Sequence, residues 1–594
     1  MLKSELRSKF TLLNVLPYLV IFGMTVLFLL RSAFGFDWSD ETYYLALPYR
    51  FLLGDHLFVD SWDIHQTSAL LMVPLLWLYR AVTGTMDGVI LFMRVLYIMC
   101  QAAVALLVYR SVLHFFGRRM PALLCAVLFF SFTPFGINTF SYNSMAYLFT
   151  TVSVVLLFYL YSRPLGSVRA FLVGVFSGVF FALSAISYPF FLLVGPLLAF
   201  ALWWVRPIIQ KGIHETASRI PMAGFCSGAC AVFAVVGIGV LATVGMNGVF
   251  SNVIHLFQDP EHPYTSLWVQ TSYFFQDQQL LVYLSLLELT LLVLILLSRF
   301  VPVGLDLTPV LEAMVWVLMP LCLIINVGMV LIRPEAELPL TSKVNYLQAC
   351  AGLWPLVLTA QKPTRRSLVV VLLLYLPSLA MSWAIYVASN NGVTGSSFIL
   401  SLTVLALVLT IYDYFTATAQ DSVKKQRALK TLWSALATSL MLLAVCNTVM
   451  RAQVVYRDAP IVSLRVQLTS GPAQGLYTTS GAAAKYAGIV NDIRLAAQRT
   501  DGRIMFNELL PFGYLCTESR PAPPSLWRNE LPSDRITGYF KQRPQNRPAL
   551  LYVVKAPYGL NNGTKPVTQR TAEQILGGPV KMRETEYSYQ FTRK

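Results

Sequence analysis

Residues 36–44 have the sequence Phe-Asp-Trp-Ser-Asp-Glu-Thr-Tyr-Tyr, and they follow an apolar run from about Thr11 to Leu30. Six carboxylates and two histidines fall between Phe36 and His65, although the chain as a whole is only 12% charged. Carboxylates at a membrane surface are costly unless they face water, a cation or a reacting group. This acidic loop is therefore the first candidate for a chemical site.

The composition around the loop is that of a membrane protein. The chain has 594 residues, of which 56% are hydrophobic, and its mean hydropathy is +0.60. Soluble domains are less apolar, so the sequence predicts a polytopic α-helical membrane protein. In such a chain basic residues mainly mark the cytoplasmic loops. The net charge of +16 therefore does not indicate nucleic acid as a partner. The cysteines lie mainly in apolar runs without a CxxC motif, which favours buried side chains over disulfides.

Apolar runs predict thirteen membrane spans, near residues 11–30, 88–110, 120–137, 142–162, 168–187, 190–205, 220–246, 279–299, 308–332, 345–361, 367–388, 397–416 and 431–450. The N-terminus carries Lys3, Arg7 and Lys9, so the first span is interpreted as a retained signal anchor that runs outward. Within residues 1–450, the loops that follow even-numbered spans then hold most of the remaining basic residues, as expected of cytoplasmic loops. The acidic loop therefore lies outside.

The predicted chain has two parts. Residues 1–450 form the membrane module, with an external acidic segment at 31–87 and a long external loop at 247–278. Amphipathic stretches at 41–53 and 66–81 are too short for confident spans, and they predict juxtamembrane helices. Residues 451–594 are polar, carry a net charge of +10, and include a β-like run at 549–554. They predict a small extracytoplasmic α/β domain that binds anionic glycan or headgroups, or that covers the site.

Asp40 and Glu41 allow two interpretations. Adjacent helical residues point about 100° apart, so the two carboxylates cannot aim at one atom. In the first interpretation, Asp37 or Ser39 caps the following helix and the acid pair only stabilises its first turn. In the second, one carboxylate is a general base that takes a proton from a hydroxyl or amine during an inverting sugar transfer, while a phosphate leaves the opposite face.

The acidic segment resembles the first external loop of the GT-C glycosyltransferases, nearest to the protein O-mannosyltransferase and aminoarabinose transferase type. The resemblance depends on the pattern Asp40-Glu41-x-Tyr43-Tyr44, Arg50, Leu53-Gly54 and Asp60-x-Trp62-x-x-His65. It implies a GT-C fold and an enzyme that moves a sugar from a polyprenyl-phosphate donor to a glycan, lipid or protein acceptor outside the membrane. A bacterial cytoplasmic membrane, with a cytoplasmic N-terminus, is the expected location.

The resemblance also implies roles for single residues. Asp40 takes the position of the catalytic base, with Glu41 as its partner and Asp63 as an orienting group. Arg94 and His65 take positions near the donor phosphate. Two residues are the only bases in their outward loop, at about 333–344, and are further candidates for phosphate binding: Arg333 and Lys343.

Two positions depart from the pattern. Asn143 stands where many relatives have an aspartate, and an asparagine can orient a substrate but cannot be a base at neutral pH. Tyr188 lies in a segment where many relatives have a lysine. Both are candidate substrate-binding residues, and both leave the donor and acceptor open.

No cofactor is firmly implied, but a divalent metal ion is a candidate because hard cations suit carboxylate and phosphate oxygens. Its candidate ligands in the long external loop are His255, Glu261 and His262, although this spacing matches no zinc motif, and a solvated loop is the alternative.

Two other functions stay open. A transporter or flippase of lipid-linked saccharides would place its polar groups at mid-membrane, often within inverted repeats. A non-catalytic scaffold would explain Asn143 and the missing lysine. The sequence names neither the sugar nor the acceptor.

Overall fold

The computed structural model describes residues 2–162, 165–209, 219–258, 266–277, 279–300, 307–332, 351–388, 392–419, 423–507, 509–527, 531, 533–555 and 567–594. Most of this chain is α-helical. The helices of the membrane module are Leu2–Ser32, Asp40–Leu52, Gln66–Thr83, Val89–Phe116, Arg119–Ser131, Tyr142–Ser162, Ser167–Ser187, Gly195–Ile209, Ile220–Asn252, Leu267–Asp277, Gln279–Ser298, Thr308–Ile332, Trp354–Gln361, Arg365–Ala388, Gly392–Thr418 and Val423–Gln453.

Within the described residues, nine helices are long and apolar enough to cross a membrane. Three shorter apolar helices, Arg119–Ser131, Pro189–Trp204 and Ser285–Ser298, coincide with further predicted spans. The polytopic helical architecture is therefore confirmed. The count of thirteen stays a prediction, because part of the predicted span at 345–361 lies outside the described residues.

The two predicted juxtamembrane helices are present as Asp40–Leu52 and Gln66–Thr83, and they pack against each other. The second ends where Gly84 adopts a left-handed conformation (φ +77°) and its N–H donates to the carbonyl of Arg80 at 2.8 Å. Glycine adopts this conformation without steric cost, so it ends the helix cleanly before the next span begins.

The described residues of the segment predicted as a long external loop are largely helical. The helix that begins at Ile220 continues to Asn252 across a break at Gly245 (φ +72°), and a turn of 3₁₀ helix at Val253–Gln258 follows it. A further helix occupies Leu267–Asp277. A glycine break inside a long apolar helix marks where the chain changes direction, which a count of apolar residues cannot reveal.

Two spans cross at very short distance. Helices Ser167–Ser187 and Ile220–Asn252 both carry glycines four residues apart, at Gly174 and Gly178 and at Gly224 and Gly228. A Cβ built on any of the four would overlap backbone atoms of the opposite helix. Small residues at this spacing allow helix backbones to touch in a membrane, where van der Waals packing is the main source of association.

The C-terminal region contains a four-stranded mixed sheet. Its strands are β3 (Ile504–Phe506), β4 (Leu550–Val554), β5 (Val580–Glu584) and β6 (Ser588–Arg593), in the order β3-β4-β6-β5, and only β3 and β4 are parallel. The predicted β-like run at 549–554 is thus an inner strand. A separate two-stranded ribbon pairs β1 (Val466–Gln467) with β2 (Tyr477–Thr478), and the region's helices are Ser480–Gln498, Phe512–Leu515, Asp534–Gln542 and Gln569–Leu576.

The C-terminal region docks on the acidic loop. The N–H of Trp62 donates to the carbonyl of Pro524 at 2.8 Å, and the Trp62 ring belongs to a hydrophobic cluster otherwise formed by C-terminal residues. Buried Asp55 pairs with Arg50 from the preceding helix at 2.8 Å and with Arg503 at 2.7 Å. The hydroxyl of Tyr539 donates to the carbonyl of Asp60 at 2.8 Å. The loop is therefore held between the spans and the sheet.

Candidate functional site

Asp37 caps the helix that carries the acid pair. Its Oδ1 accepts from the N–H and the hydroxyl of Ser39 at 3.1 and 2.9 Å, and its Oδ2 accepts from the N–H of Glu41 at 2.8 Å. One carboxylate thus satisfies donors that a helix start leaves without partners. The side chains of Asp40 and Glu41 then point in different directions from the first turn of this helix.

Glu41 points inward to Arg94. The Arg94 Nε lies 2.6 Å from Oε1 and its Nη2 lies 2.5 Å from Oε2, and both residues are buried. The Nη1 of Arg94 also donates to the carbonyls of Ser32 and Phe34 at 2.8 and 3.2 Å. A buried bidentate pair of this kind fixes both side chains and connects the acidic loop to the second span.

A very small cavity lies beside this pair. It measures about 20 Å³, which is enough for one water molecule, and Arg31, Asp37, Glu41, Arg94 and Tyr456 are among its lining residues. Arg31 is buried and donates to the carbonyls of Phe34 and Val454 at 2.6 and 2.9 Å. The inner side of the acid pair is therefore closely packed.

Asp40 has partners from the start of the C-terminal region. Its Oδ2 accepts from the hydroxyl of Tyr456, and it forms an ion pair with the Nη1 of Arg457 at 2.8 Å. The same Nη1 donates to the hydroxyl of Ser39 at 2.6 Å. Sequence reasoning missed both Tyr456 and Arg457, since they lie more than 400 residues after Asp40, just beyond the last helix of the module.

An aromatic cluster stands on the Asp40 side of the acid pair. The His65 ring stacks on Tyr142, with centroids 3.4 Å apart and an angle of 7° between the ring planes, and Tyr188 lies 6.0 Å from Tyr142. Tyr44 contacts Tyr142 edge to face at 5.6 Å. Burial, together with nearby Tyr142 and Asp40, raises the pKa of Tyr44 well above its ordinary value. Tyr44 is therefore neutral near the Asp40 carboxylate.

The structure brings several predicted residues into this cluster. His65 and Tyr188 have rings 6.1 Å apart, and Asn143 is buried directly after Tyr142 in the sequence. Hydroxyl, amide and imidazole groups beside a carboxylate offer hydrogen bonds to a sugar, and aromatic faces offer it apolar contact.

Asp63 faces the C-terminal region. Its Oδ1 accepts from the hydroxyls of Ser525 and Tyr43 at 2.6 and 3.3 Å, and its Oδ2 accepts from the hydroxyl of Ser61 at 3.0 Å and the N–H of Leu526 at 3.3 Å. Burial raises the pKa of Asp63, although the hydrogen bonds from Ser525 and Ser61 and the charges of two arginines, Arg50 and Arg535, oppose the rise. Its contacts connect the loop to the C-terminal region.

The structure describes only some of the remaining predicted site residues. Arg333 and Lys343 lie outside the described residues, as do Glu261 and His262. His255 stacks on Trp62, with ring centroids 3.8 Å apart. Within the part of the chain that the structure describes, no three His, Cys, Asp or Glu side chains are placed to hold a metal ion. The metal site stays a prediction, because two of its three candidate ligands are not described.

No known family model matches the sequence, and no curated protein matches it significantly. The fold is similar to solved structures of the oligosaccharyltransferase of Archaeoglobus fulgidus. The complex with zinc and sulfate has a TM-score of 0.48 and 10% identity, and the match covers 97% of this chain and 73% of that one.

Two further structures of that archaeal enzyme are similar at 11% identity. The form tethered to an acceptor peptide with an NVT sequon has a TM-score of 0.46 and covers 97% of this chain and 74% of that one. The AglB complex with an inhibitory peptide and a dolichol-phosphate has a TM-score of 0.45, with coverage of 90% and 69%. At these identities and scores, the neighbours say nothing about what this chain binds or transfers.

Proposed function

We propose that this chain is a membrane glycosyltransferase of the GT-C type, which transfers a sugar from a polyprenyl-phosphate carrier to an acceptor at the outer face, with inversion. The observation that supports this best is the environment of Asp40. This carboxylate at the start of a juxtamembrane helix pairs with a cation, Arg457, and its charge acts on Tyr44 and Tyr142 of the aromatic cluster. A base, a phosphate-binding charge and a sugar-binding surface are what the reaction needs.

In the proposed reaction, an acceptor hydroxyl or amine attacks the anomeric carbon of the bound sugar. The new bond forms on the face opposite the phosphate, and the electron pair of the breaking C–O bond leaves with the phosphate. Asp40 takes the proton of the acceptor. Glu41, buried against Arg94, holds the helix that presents Asp40.

The other candidate residues bind the two substrates in this proposal. Tyr188 and Asn143 contact the sugar or its acceptor, and His65 lies near the carrier phosphate. Asp63 holds the loop against the C-terminal region. Arg333 and Lys343 add positive charge for the phosphate, as does Arg94 if its pair with Glu41 opens. A divalent ion held by His255, Glu261 and His262 would supply further charge at the phosphate.

The proposed location is the cytoplasmic membrane of a bacterium. Between the predicted spans, basic residues concentrate in the loops that follow even-numbered spans. This pattern supports a cytoplasmic N-terminus, with both the acidic loop and the C-terminal region outside. No nucleotide sugar is available there, so an activated donor must arrive on a lipid carrier.

The test is a transfer assay with purified full-length protein and undecaprenyl-phosphate sugars. Asp40→Asn should lower turnover by about 10²–10⁴-fold, the usual contribution of a positioned general base, while the protein still folds and is still able to bind the carrier. The matched control is Asp87→Asn, which removes a partly exposed carboxylate paired with Arg494 and should keep turnover near wild type. Normal turnover of Asp40→Asn would remove this mechanism, and transport of intact carrier without bond cleavage would favour a flippase.

A further inference from the structure

We infer that Arg457 is a further substrate-binding residue, which binds the phosphate of the lipid carrier in competition with Asp40. This inference rests on the proposed function, because it assumes that a carrier phosphate binds beside Asp40. It adds a specific residue and a physical coupling between the base and the leaving group.

The donor atoms of Arg457 make it suitable for an incoming anion. Within the described part of the chain, the Nη1 of Arg457 donates to Asp40 and to Ser39. A guanidinium has five N–H donors, so Nε and Nη2 can still donate to phosphate oxygens. The Arg457 side chain is 34% exposed, whereas the Asp40 side chain is only 14% exposed. The arginine is thus the more accessible member of the pair.

The backbone at Arg457 has an unusual conformation that neighbouring contacts hold in place. Its φ of +51° is in the left-handed region, which is uncommon for any residue other than glycine and costs on the order of 1–3 kcal/mol. On one side, Val455 packs over Gly35 so closely that a Cβ there would overlap it. On the other, Oδ2 of Asp458 accepts from the N–H of Phe36 and from the hydroxyl of Thr478, both at 2.9 Å. Strain that is held from both sides is typical of functional positions.

The groups around Arg457 favour its positive charge. Burial lowers the pKa of Arg457, but Asp40, Tyr456, Asp37 and Tyr44 outweigh this effect and raise it above its ordinary value. Burial and the adjacent Asp40 also raise the pKa of Tyr456, so this tyrosine stays neutral and its hydroxyl donates a hydrogen bond to Asp40. A permanent cation is therefore held directly beside the proposed base.

The proposed reaction gives a reason for one arginine to serve both Asp40 and the carrier phosphate. When the anomeric C–O bond breaks, the carrier phosphate changes from a diester with about one negative charge to a monoester with up to about two. Over the same step, Asp40 gains the acceptor proton and becomes neutral. The attraction of Arg457 for Asp40 then falls while its attraction for the phosphate rises. A cation placed between the two groups stabilises the charge that develops during transfer.

The test uses the full-length protein in nanodiscs and undecaprenyl phosphate as the probe. Its dissociation constant is measured for wild type, Asp40→Asn, Arg457→Gln and the double variant. Arg457→Gln should weaken binding about tenfold, which is the usual effect of losing one charge-assisted hydrogen bond. Asp40→Asn should tighten binding several-fold, because it releases Arg457 from the competing carboxylate. The gain in carrier affinity from Asp40→Asn should be clearly smaller when the substitution is made together with Arg457→Gln.

Two controls keep the result specific. Arg465→Gln removes an exposed arginine from the same region and should leave the dissociation constant unchanged. Arg457→Lys keeps the positive charge and should retain most of the binding that Arg457→Gln loses.

The outcomes separate this inference from the proposed function. If wild type binds undecaprenyl phosphate but Arg457→Gln binds equally well, or if the effects of the two substitutions simply add, the inference is wrong and the proposed function stands. If wild type does not bind the carrier at all, both are wrong.

Discussion

The neighbouring acids Asp40 and Glu41 have different partners and therefore different roles. Glu41 is buried in a bidentate pair with Arg94, while Asp40 meets Tyr456 and Arg457 at a more open position. The rotation of about 100° between successive helical residues produces this division. We interpret Glu41 as a structural residue of the site, and Asp40 as the group that reacts.

The buried pair leads to a prediction on stability. Glu41→Ala would leave the charge of Arg94 buried without its partner, and we expect a loss of about 3–5 kcal/mol in the free energy of unfolding. Thermal unfolding of the purified protein in detergent, followed by circular dichroism, measures the change.

The matched control is Asp87→Ala, which breaks the partly exposed pair with Arg494 and should cost about 1 kcal/mol or less. Equal unfolding temperatures for Glu41→Ala and Asp87→Ala would contradict the structural role of Glu41.

At the scale of elements, the crossing of helices Ser167–Ser187 and Ile220–Asn252 depends on glycine. Gly178→Ala would place a methyl group on the carbonyl of Phe225, so the helices must separate, and overpacking of this kind typically costs about 1–3 kcal/mol. Gly237→Ala makes the same substitution in the second helix, where no atom lies within 4 Å, and it should be neutral or slightly stabilising. Thermal unfolding of the two variants, compared with wild type, tests the crossing. Similar stability of both variants would show that the helices are not in contact at Gly178.

The docking of the C-terminal region on the acidic loop depends on ionised Asp60. Burial raises its pKa, but hydrogen bonds from Asn546 and from the His56 backbone, with the charge of Arg50, lower the pKa overall below the ordinary 3.8. A carboxylate with a lowered folded-state pKa contributes stability above its ordinary pKa and loses that contribution as the pH falls. Asp63 has a raised pKa and acts in the opposite sense, so it does not produce this loss.

This linkage predicts a pH-dependent difference between two proteins. Wild type should unfold at a higher temperature than Asp60→Asn at pH 6, and the gap should shrink as the pH falls below about 4, where Asp60 becomes protonated. Thermal unfolding of both proteins from pH 6 to pH 3 measures the gap. A constant difference across this range would show that the ionised form of Asp60 does not hold the two regions together.

At the scale of the whole molecule, the lengths of the apolar runs and the residues that cap helices predicted most of the architecture. Apolar runs marked the spans because a helix must have about twenty apolar residues to cross a bilayer. Asp37 was expected as one of two caps of the acid-pair helix, and it accepts the capping hydrogen bonds. The break at Gly245 escaped the sequence reasoning, because one glycine in an apolar run is compatible with a straight helix.

The candidate site could be predicted only in part, and the missing part comes from distant residues. Asp40, His65 and Tyr188 were identified from the sequence, but Tyr456 and Arg457 reach Asp40 from beyond the last helix of the module. No local spacing reports such a contact. The basic C-terminal region offered a weak signal, since its charge faces an acidic loop, and Arg503 and Arg457 indeed pair with Asp55 and Asp40.

The most direct measurement is a cryo-electron microscopy structure of the full chain with undecaprenyl phosphate. The central claim is that Asp40 and the carrier phosphate occupy one site at the outer face of the membrane. We expect phosphate density in contact with Arg457, beside Asp40 and the ring of His65, with the prenyl chain leading into the bilayer. Phosphate density in a cavity that Asp40 does not reach, or a carrier bound at the opposite membrane face, would contradict the account.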